Sequence, residues 1–186
     1  VEPTPERPLS NNQSLTLGHA LRTRAFWQLI IGFGLNQAAL MAVLIHAFSF
    51  VTESGFDRNV AAAGLSIDGF GNLVSKVTWG WSLGRFSPRL LVPVAFGVSA
   101  TGVTLILTAG SLNLQVLLMV GFFFYGFGFG GTIPLSEFTW ARYFGRGYIG
   151  AIRGAGNPPA LLMSAAAPVL VGVWFDVAGA YQWAFV

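Results

Sequence analysis

Five long apolar runs in series constrain the fold of this 186-residue chain more than any other feature of its sequence. They cover residues 26–51, 60–83, 90–109, 114–136 and 158–175, and the start of a sixth covers 181–186. A short stretch at 149–154 could extend the fifth run. An α-helix needs about 20 predominantly apolar residues to cross the hydrocarbon core of a bilayer. Only 9% of the residues are charged, against about 25% in soluble domains, which is too few for a water-facing surface. The sequence therefore predicts an all-α membrane protein that spans a lipid bilayer.

The distribution of arginine predicts the orientation of these runs, because short cytoplasmic loops of membrane proteins carry an excess of Lys and Arg. The loops on one side hold only Arg58. The N-terminal tail and the loops on the other side hold eight arginines: Arg7, Arg22, Arg24, Arg85, Arg89, Arg142, Arg146 and Arg153. Residues 1–24 are thus predicted to form a cytoplasmic linker and lead-in, followed by a transmembrane domain over 25–186. The basic charge is explained by topology and requires no nucleic acid partner.

Glycines in the fourth run imitate a nucleotide-binding motif. Gly126 to Gly131 match the letters GxGxxG, but a dinucleotide site needs this motif between a strand and a helix, with an acidic residue about 20 positions later. Here the motif lies inside an apolar run, so we expect a close-packed or flexible stretch of helix. GxxxG spacing, which permits close helix contacts, occurs at three pairs: Gly126 with Gly130, Gly80 with Gly84, and Gly150 with Gly154.

The sequence offers little material for catalysis or for a cofactor. It has no cysteine and two histidines, His19 and His46, neither of which has an acid or a nucleophile at helical spacing in its own segment. No cluster with metal-ligand spacing is present. We therefore expect no enzyme activity, no metal site and no cofactor.

Polar residues at membrane depth are the candidate binding residues. Asp68, Asn72 and Lys76 are spaced four apart, so each step turns only about 40° around the helix and the three form one stripe. Ionisable groups at this depth usually face a bundle interior or an aqueous cavity. The stripe could bind substrate. Alternatively, Asp68 and Lys76 could be structural partners, or the Lys76 side chain could snorkel toward the membrane surface. Asn36 and Gln37 of the first run could likewise bind substrate or hydrogen-bond a neighbouring helix.

Several segments resemble the major facilitator superfamily. The stretch from Gly80 to Arg89, which contains Arg85, is similar to the cytoplasmic gating signature that follows the second helix of each half in that family. Gly84 stands where that signature usually has Asp, and Ser87 where it has Gly. Residues 142–152 resemble the loop between the tenth and eleventh helices of the monocarboxylate and oxalate/formate branch. The lead-in at 21–27 and the segment at 176–181 also look like that branch.

The resemblance implies a C-terminal six-helix half of a transporter, with helices seven to eleven complete and the last helix truncated. It implies alternating-access transport of a small organic anion such as a monocarboxylate, with H⁺ or a counter-anion as the coupling partner and a missing N-terminal half as the other partner. A bacterial inner (plasma) membrane is the expected location. Lys76 lies four residues before Gly80, where the branch has a cation that contacts the substrate, and Asn72 replaces an Asp found in some members. The alternative is a non-transporting membrane protein, such as a sensor or an assembly subunit.

Overall fold

The computed structural model describes residues 14–178, and these residues form six α-helices and no strand. The predicted all-α fold class is confirmed. Residues 1–13 and the predicted start of a sixth spanning helix at 181–186 lie outside the described residues. The helices are α1 (Leu17–Ala20), α2 (Arg24–Glu53), α3 (Arg58–Leu83), α4 (Pro88–Leu112), α5 (Gln115–Phe144) and α6 (Ile149–Ala178).

The helix ends follow from capping residues in short connections. The Thr23 side chain accepts a hydrogen bond from the backbone N–H of Phe26 at 3.3 Å before α2. Asp57 does the same for the N–H of Asn59 at 2.7 Å before α3, and α4 begins with Pro88 at its first position. These are preferred N-terminal arrangements. The long helices are joined by two to four residues, so neighbours in sequence run in opposite directions.

Four of the described helices are long and apolar enough to cross a membrane, namely α2, α4, α5 and the part of α6 at Ile149–Val177. The sequence predicted five such helices, and α3 is the exception. Its 26 residues are sufficient in length, but Asp68, Asn72 and Lys76 lower its apolar content. Its polar side chains therefore need protein or water around them rather than lipid.

Helix α6 begins nine residues before the apolar run at 158–175. The stretch at 149–154 belongs to the same helix, and Pro158, Pro159 and Pro168 all lie inside it. A membrane helix tolerates proline because neighbouring groups satisfy the backbone carbonyls that proline leaves free. The tandem prolines therefore do not mark a helix start.

Two packing relationships organise the bundle: α5 lies against both α3 and α4, and α2 lies against α6. The glycines of α5 allow the first of these. A side chain at Gly126 would overlap Asp68 of α3, and one at Gly128 would overlap Ser99 of α4. The GxGxxG segment thus packs closely against α3 and α4. Of the two expectations, a close-packed or a flexible stretch of helix, the first is confirmed.

The three GxxxG pairs differ in whether they contact a neighbouring helix. Gly126 and Gly130 both contact α3 closely. No packed atom of the described residues lies within 4 Å of where a side chain would start at Gly80, Gly150 or Gly154. The pairs Gly80 with Gly84 and Gly150 with Gly154 therefore make no close contact with another helix within residues 14–178. Their GxxxG spacing does not correspond to helix packing in this part of the chain.

Candidate functional site

Lys76 and Asn72 form the polar pair on the exposed side of α3. The Lys76 ammonium donates to the side-chain oxygen of Asn72 and, at 3.4 Å, to its backbone carbonyl oxygen. The two residues are one helical turn apart, which is the spacing at which side chains on one helix meet. Asn72 thus holds the ammonium group in place with two acceptors.

Lys76 lies on the face of α3 that no described helix covers, whereas the backbone of the half-buried Asn72 lies against Gly130 of α5. Lys76 is exposed, and its neighbours Leu73 and Val77 are 65% and 77% exposed. The opposite face of α3 is buried, and its buried residues are Ala61, Gly64, Asp68, Gly71, Ser75 and Trp79. Within residues 14–178 no acidic side chain forms an ion pair with Lys76. The ammonium therefore has a hydrogen-bonded position and no described counter-charge.

Asp68 occupies a different environment from Lys76. It is 8% exposed, and it lies against Gly126 of α5. Its Oδ1 atom has no hydrogen-bond partner among the described residues. The stripe predicted from the four-residue spacing thus begins in the α3–α5 contact at Asp68 and reaches the open face at Lys76. Asp68 and Lys76 lie about 12 Å apart along the helix axis, and they do not form the ion pair that a structural partnership would require.

Asn36 hydrogen-bonds a neighbouring helix. Its Nδ2 atom donates to the Thr132 hydroxyl of α5 at 3.4 Å, and Gln37 lies next to it, half-buried. Asn36 also borders a cavity of about 730 Å³ between α2, α4 and α6. Apolar side chains such as Leu40, Phe96 and Leu170 supply most of its wall. No hydrogen bond of the described residues joins Asn36 to the Lys76–Asn72 pair.

A comparison with known protein families assigns the chain to one of them. The sequence profile of the Major Facilitator Superfamily matches residues 1–168. The chain belongs to the Major Facilitator Superfamily. A search of curated proteins finds no match to it.

Membership of the superfamily fixes the general class of the protein. Members of the superfamily are membrane transporters, so the chain is an integral membrane protein from a family of transporters and not from a family of enzymes. The described helices are consistent with half of this fold.

The segment that resembles the superfamily's gating signature forms the turn between α3 and α4. Gly80 is exposed in the last turn of α3, and Arg89 is exposed in the first turn of α4. The Arg85 guanidinium lies over the Trp81 ring, 3.8 Å from the ring centroid, as a cation–π contact. Gly84 has φ −72°, which any residue adopts, so the backbone there does not require glycine in place of the usual Asp.

Sequence reasoning missed an ion pair between two other helices. The Arg153 guanidinium near the start of α6 pairs with the Glu137 carboxylate near the end of α5. The available signal was their position on either side of one turn, because Glu137 lies eight residues before the turn at residues 145–148 and Arg153 five residues after it. In this superfamily chain the pair joins α5 to α6 at the end of the bundle where that turn lies.

Proposed function

We propose that this chain is the C-terminal half of a transporter that moves a small organic anion, such as a monocarboxylate, by alternating access. The resemblance to the monocarboxylate and oxalate/formate branch supports this substrate class. In this proposal the Lys76 ammonium neutralises the carboxylate of the substrate, and Asn72 positions it. A missing N-terminal half supplies the other wall of the cavity, and H⁺ or a counter-anion drives transport.

The observation that carries the proposal is the position of Lys76. It lies nine residues before Arg85, or about 13 Å along the helix at about 1.5 Å per residue. Half of the hydrocarbon core is about 15 Å, so Lys76 is near the midplane if Arg85 marks the membrane surface. A charged group at that depth is costly in lipid and favours a wet, protein-lined face. Transporters built from repeats bind substrate at this depth.

The hydrogen bonds of Lys76 support a monoanionic substrate. An ammonium group has three N–H donors, and Asn72 accepts from it with two oxygen atoms. One donor therefore remains for a carboxylate oxygen. The run at 158–175 contains no Lys or Arg, so a second cation for a dicarboxylate is not supplied from that helix.

The test is anion binding by the transporter that contains this chain. Lys76→Gln should lose affinity for monocarboxylates, because the charge is removed, whereas Lys76→Arg should retain measurable affinity. Arg58→Gln is the matched control, since it removes a cation from the first turn of the same helix, far from Lys76. Radiolabelled lactate and acetate are suitable probes, with binding measured per folded molecule. Unchanged affinity in a well-folded Lys76→Gln variant would remove Lys76 from the site.

Uptake into proteoliposomes separates transport from the alternative of a sensor or an assembly subunit. A transporter accumulates or exchanges the labelled anion, whereas a sensor moves none. Binding that depends on Lys76, without any uptake or exchange, would favour the sensor.

A further inference from the structure

Asp68 is the one buried side chain of the described residues with an unpartnered oxygen atom. It lies eleven residues into α3, on the face that contacts α5, and only 8% of its surface is exposed. Gly126 provides the space for it, because a side chain there would overlap both the backbone carbonyl and the Oδ1 atom of Asp68. The Oδ1 atom is therefore enclosed by a helix contact that glycine makes possible.

No described group donates a hydrogen bond to the Oδ1 atom of Asp68. On α5, Tyr125 precedes Gly126, but its hydroxyl donates to the carbonyl oxygen of Leu40. On α3 itself the nearest cation is Lys76, two turns away on the uncovered face. No cation of the described residues forms an ion pair with Asp68.

A carboxylate with one buried oxygen that has no donor, and with no counter-charge, is disfavoured in such a site, whereas the neutral acid is less so. The simplest ligand that neutralises the Asp68 carboxylate is a proton. Membrane proteins place Asp, Glu and His at such positions in proton pathways. We propose that Asp68 is a proton-binding site of this protein, occupied while α3 and α5 are in contact at Gly126.

Binding of this proton has a mechanical consequence. Separation of α3 from α5 would admit water to the carboxyl group and release the proton to it, while closure of the contact requires the proton to return. The state of the α3–α5 contact and the charge of Asp68 are then linked. That this link couples proton movement to transport rests on the proposed function, whereas the proton site itself does not.

Infrared spectroscopy tests the site directly in the purified chain in lipid nanodiscs. A protonated carboxylic acid has a carbonyl stretching band that is distinct from the carboxylate bands and that shifts on exchange into heavy water. At neutral pH the native chain should show this band. Asp68→Asn should lose it, and Glu53→Gln, which removes an exposed acid, should retain it. Absence of the band at neutral pH, or its survival in Asp68→Asn, would overturn the proposal.

A second variant keeps the test decisive if Asp68→Asn folds poorly. Gly126→Ala places a methyl group where it would overlap the backbone carbonyl and the Oδ1 atom of Asp68, so it should force α3 and α5 apart and weaken the band. Gly80→Ala, in open space on the same helix as Asp68, is the control and should leave the band unchanged. An identical band in Gly126→Ala would assign the proton to another acid. The result is independent of lactate or acetate uptake, so failure of the proton site and failure of the transport proposal are distinguishable.

Discussion

Arg153 of α6 forms an ion pair with Glu137 of α5 across the turn that joins the two helices. The side chains are 24% and 53% exposed, respectively. Helix α6 otherwise packs mainly against α2, so this pair is a specific link between α6 and the group formed by α3, α4 and α5. The link lies at the end of the bundle that also carries Arg142 and Arg146.

The first prediction concerns the strength of this link. A partly exposed pair contributes little, about 1 kcal/mol or less, because water and salt screen it. Glu137→Gln and Arg153→Gln should each lower the unfolding temperature slightly, and the double variant should cost less than the sum of the two. A double-mutant cycle on thermal unfolding in detergent measures the coupling. Strict additivity of the two losses would show that the pair contributes nothing.

The second prediction uses two glycines of α4 in contrasting surroundings. A side chain at Gly102 would overlap backbone atoms of Tyr125, whereas Gly97 has open space around it. Gly102→Ala should force α4 away from α5 and destabilise the fold by about 1–3 kcal/mol. Gly97→Ala should be neutral or stabilising by up to about 1 kcal/mol, because alanine favours a helix more than glycine does.

The two variants change the same residue type on the same helix, so their difference isolates the helix contact. Thermal unfolding of each variant in the same detergent is the measurement. Equal unfolding temperatures for Gly102→Ala and Gly97→Ala would contradict the close approach of α4 to Tyr125.

The polar stripe of α3 shows how far the sequence alone could reach. The spacing of Asp68, Asn72 and Lys76 correctly indicated side chains that follow one another around a helix. Two steps of about 40° nevertheless turn the stripe by about 80°, which is enough to pass from a packed face to an open one. Periodicity fixes angles within a helix, but it does not say which neighbouring helix covers which side. The burial of Asp68 and the exposure of Lys76 therefore emerge only from the packing of α5 on α3.

Helix α6 and the Glu137–Arg153 pair are two further features that the sequence alone does not specify. The sequence alone left open whether the helix at 158–175 extends back to 149–154, because a membrane helix tolerates proline when neighbouring groups satisfy its backbone. The ion pair depends on the rotation of α5 and α6 about their axes, which the two separate segments of sequence do not specify. By contrast, composition and the length of the apolar runs sufficed for the fold class, because lipid leaves helices as the main solution for such runs.

The third prediction is the orientation of the chain in the membrane. The eight-to-one distribution of arginine predicts that the turn between α3 and α4 is cytoplasmic and that the turn between α2 and α3 faces outside. The sequence has no cysteine, so Ser54→Cys and Ser87→Cys each introduce a single thiol in one of these turns. In intact cells an impermeant maleimide should label Ser54→Cys, and Ser87→Cys only after permeabilisation. Labelling of Ser87→Cys alone in intact cells would reverse the topology.

The last prediction is that the 186-residue chain does not transport by itself. Lys76 lies on a face of α3 that no described helix covers, and transporters of this kind form their site at the interface of repeats near the midplane. We therefore expect the chain to supply one wall of the substrate cavity and not to bind and release the anion across the membrane by itself. Purified chain in liposomes should show no saturable uptake of labelled lactate, while the transporter that contains it should show such uptake under the same gradient. Saturable uptake by the chain alone, lost in Lys76→Gln, would mean that two copies join through the α3 face and form a working carrier.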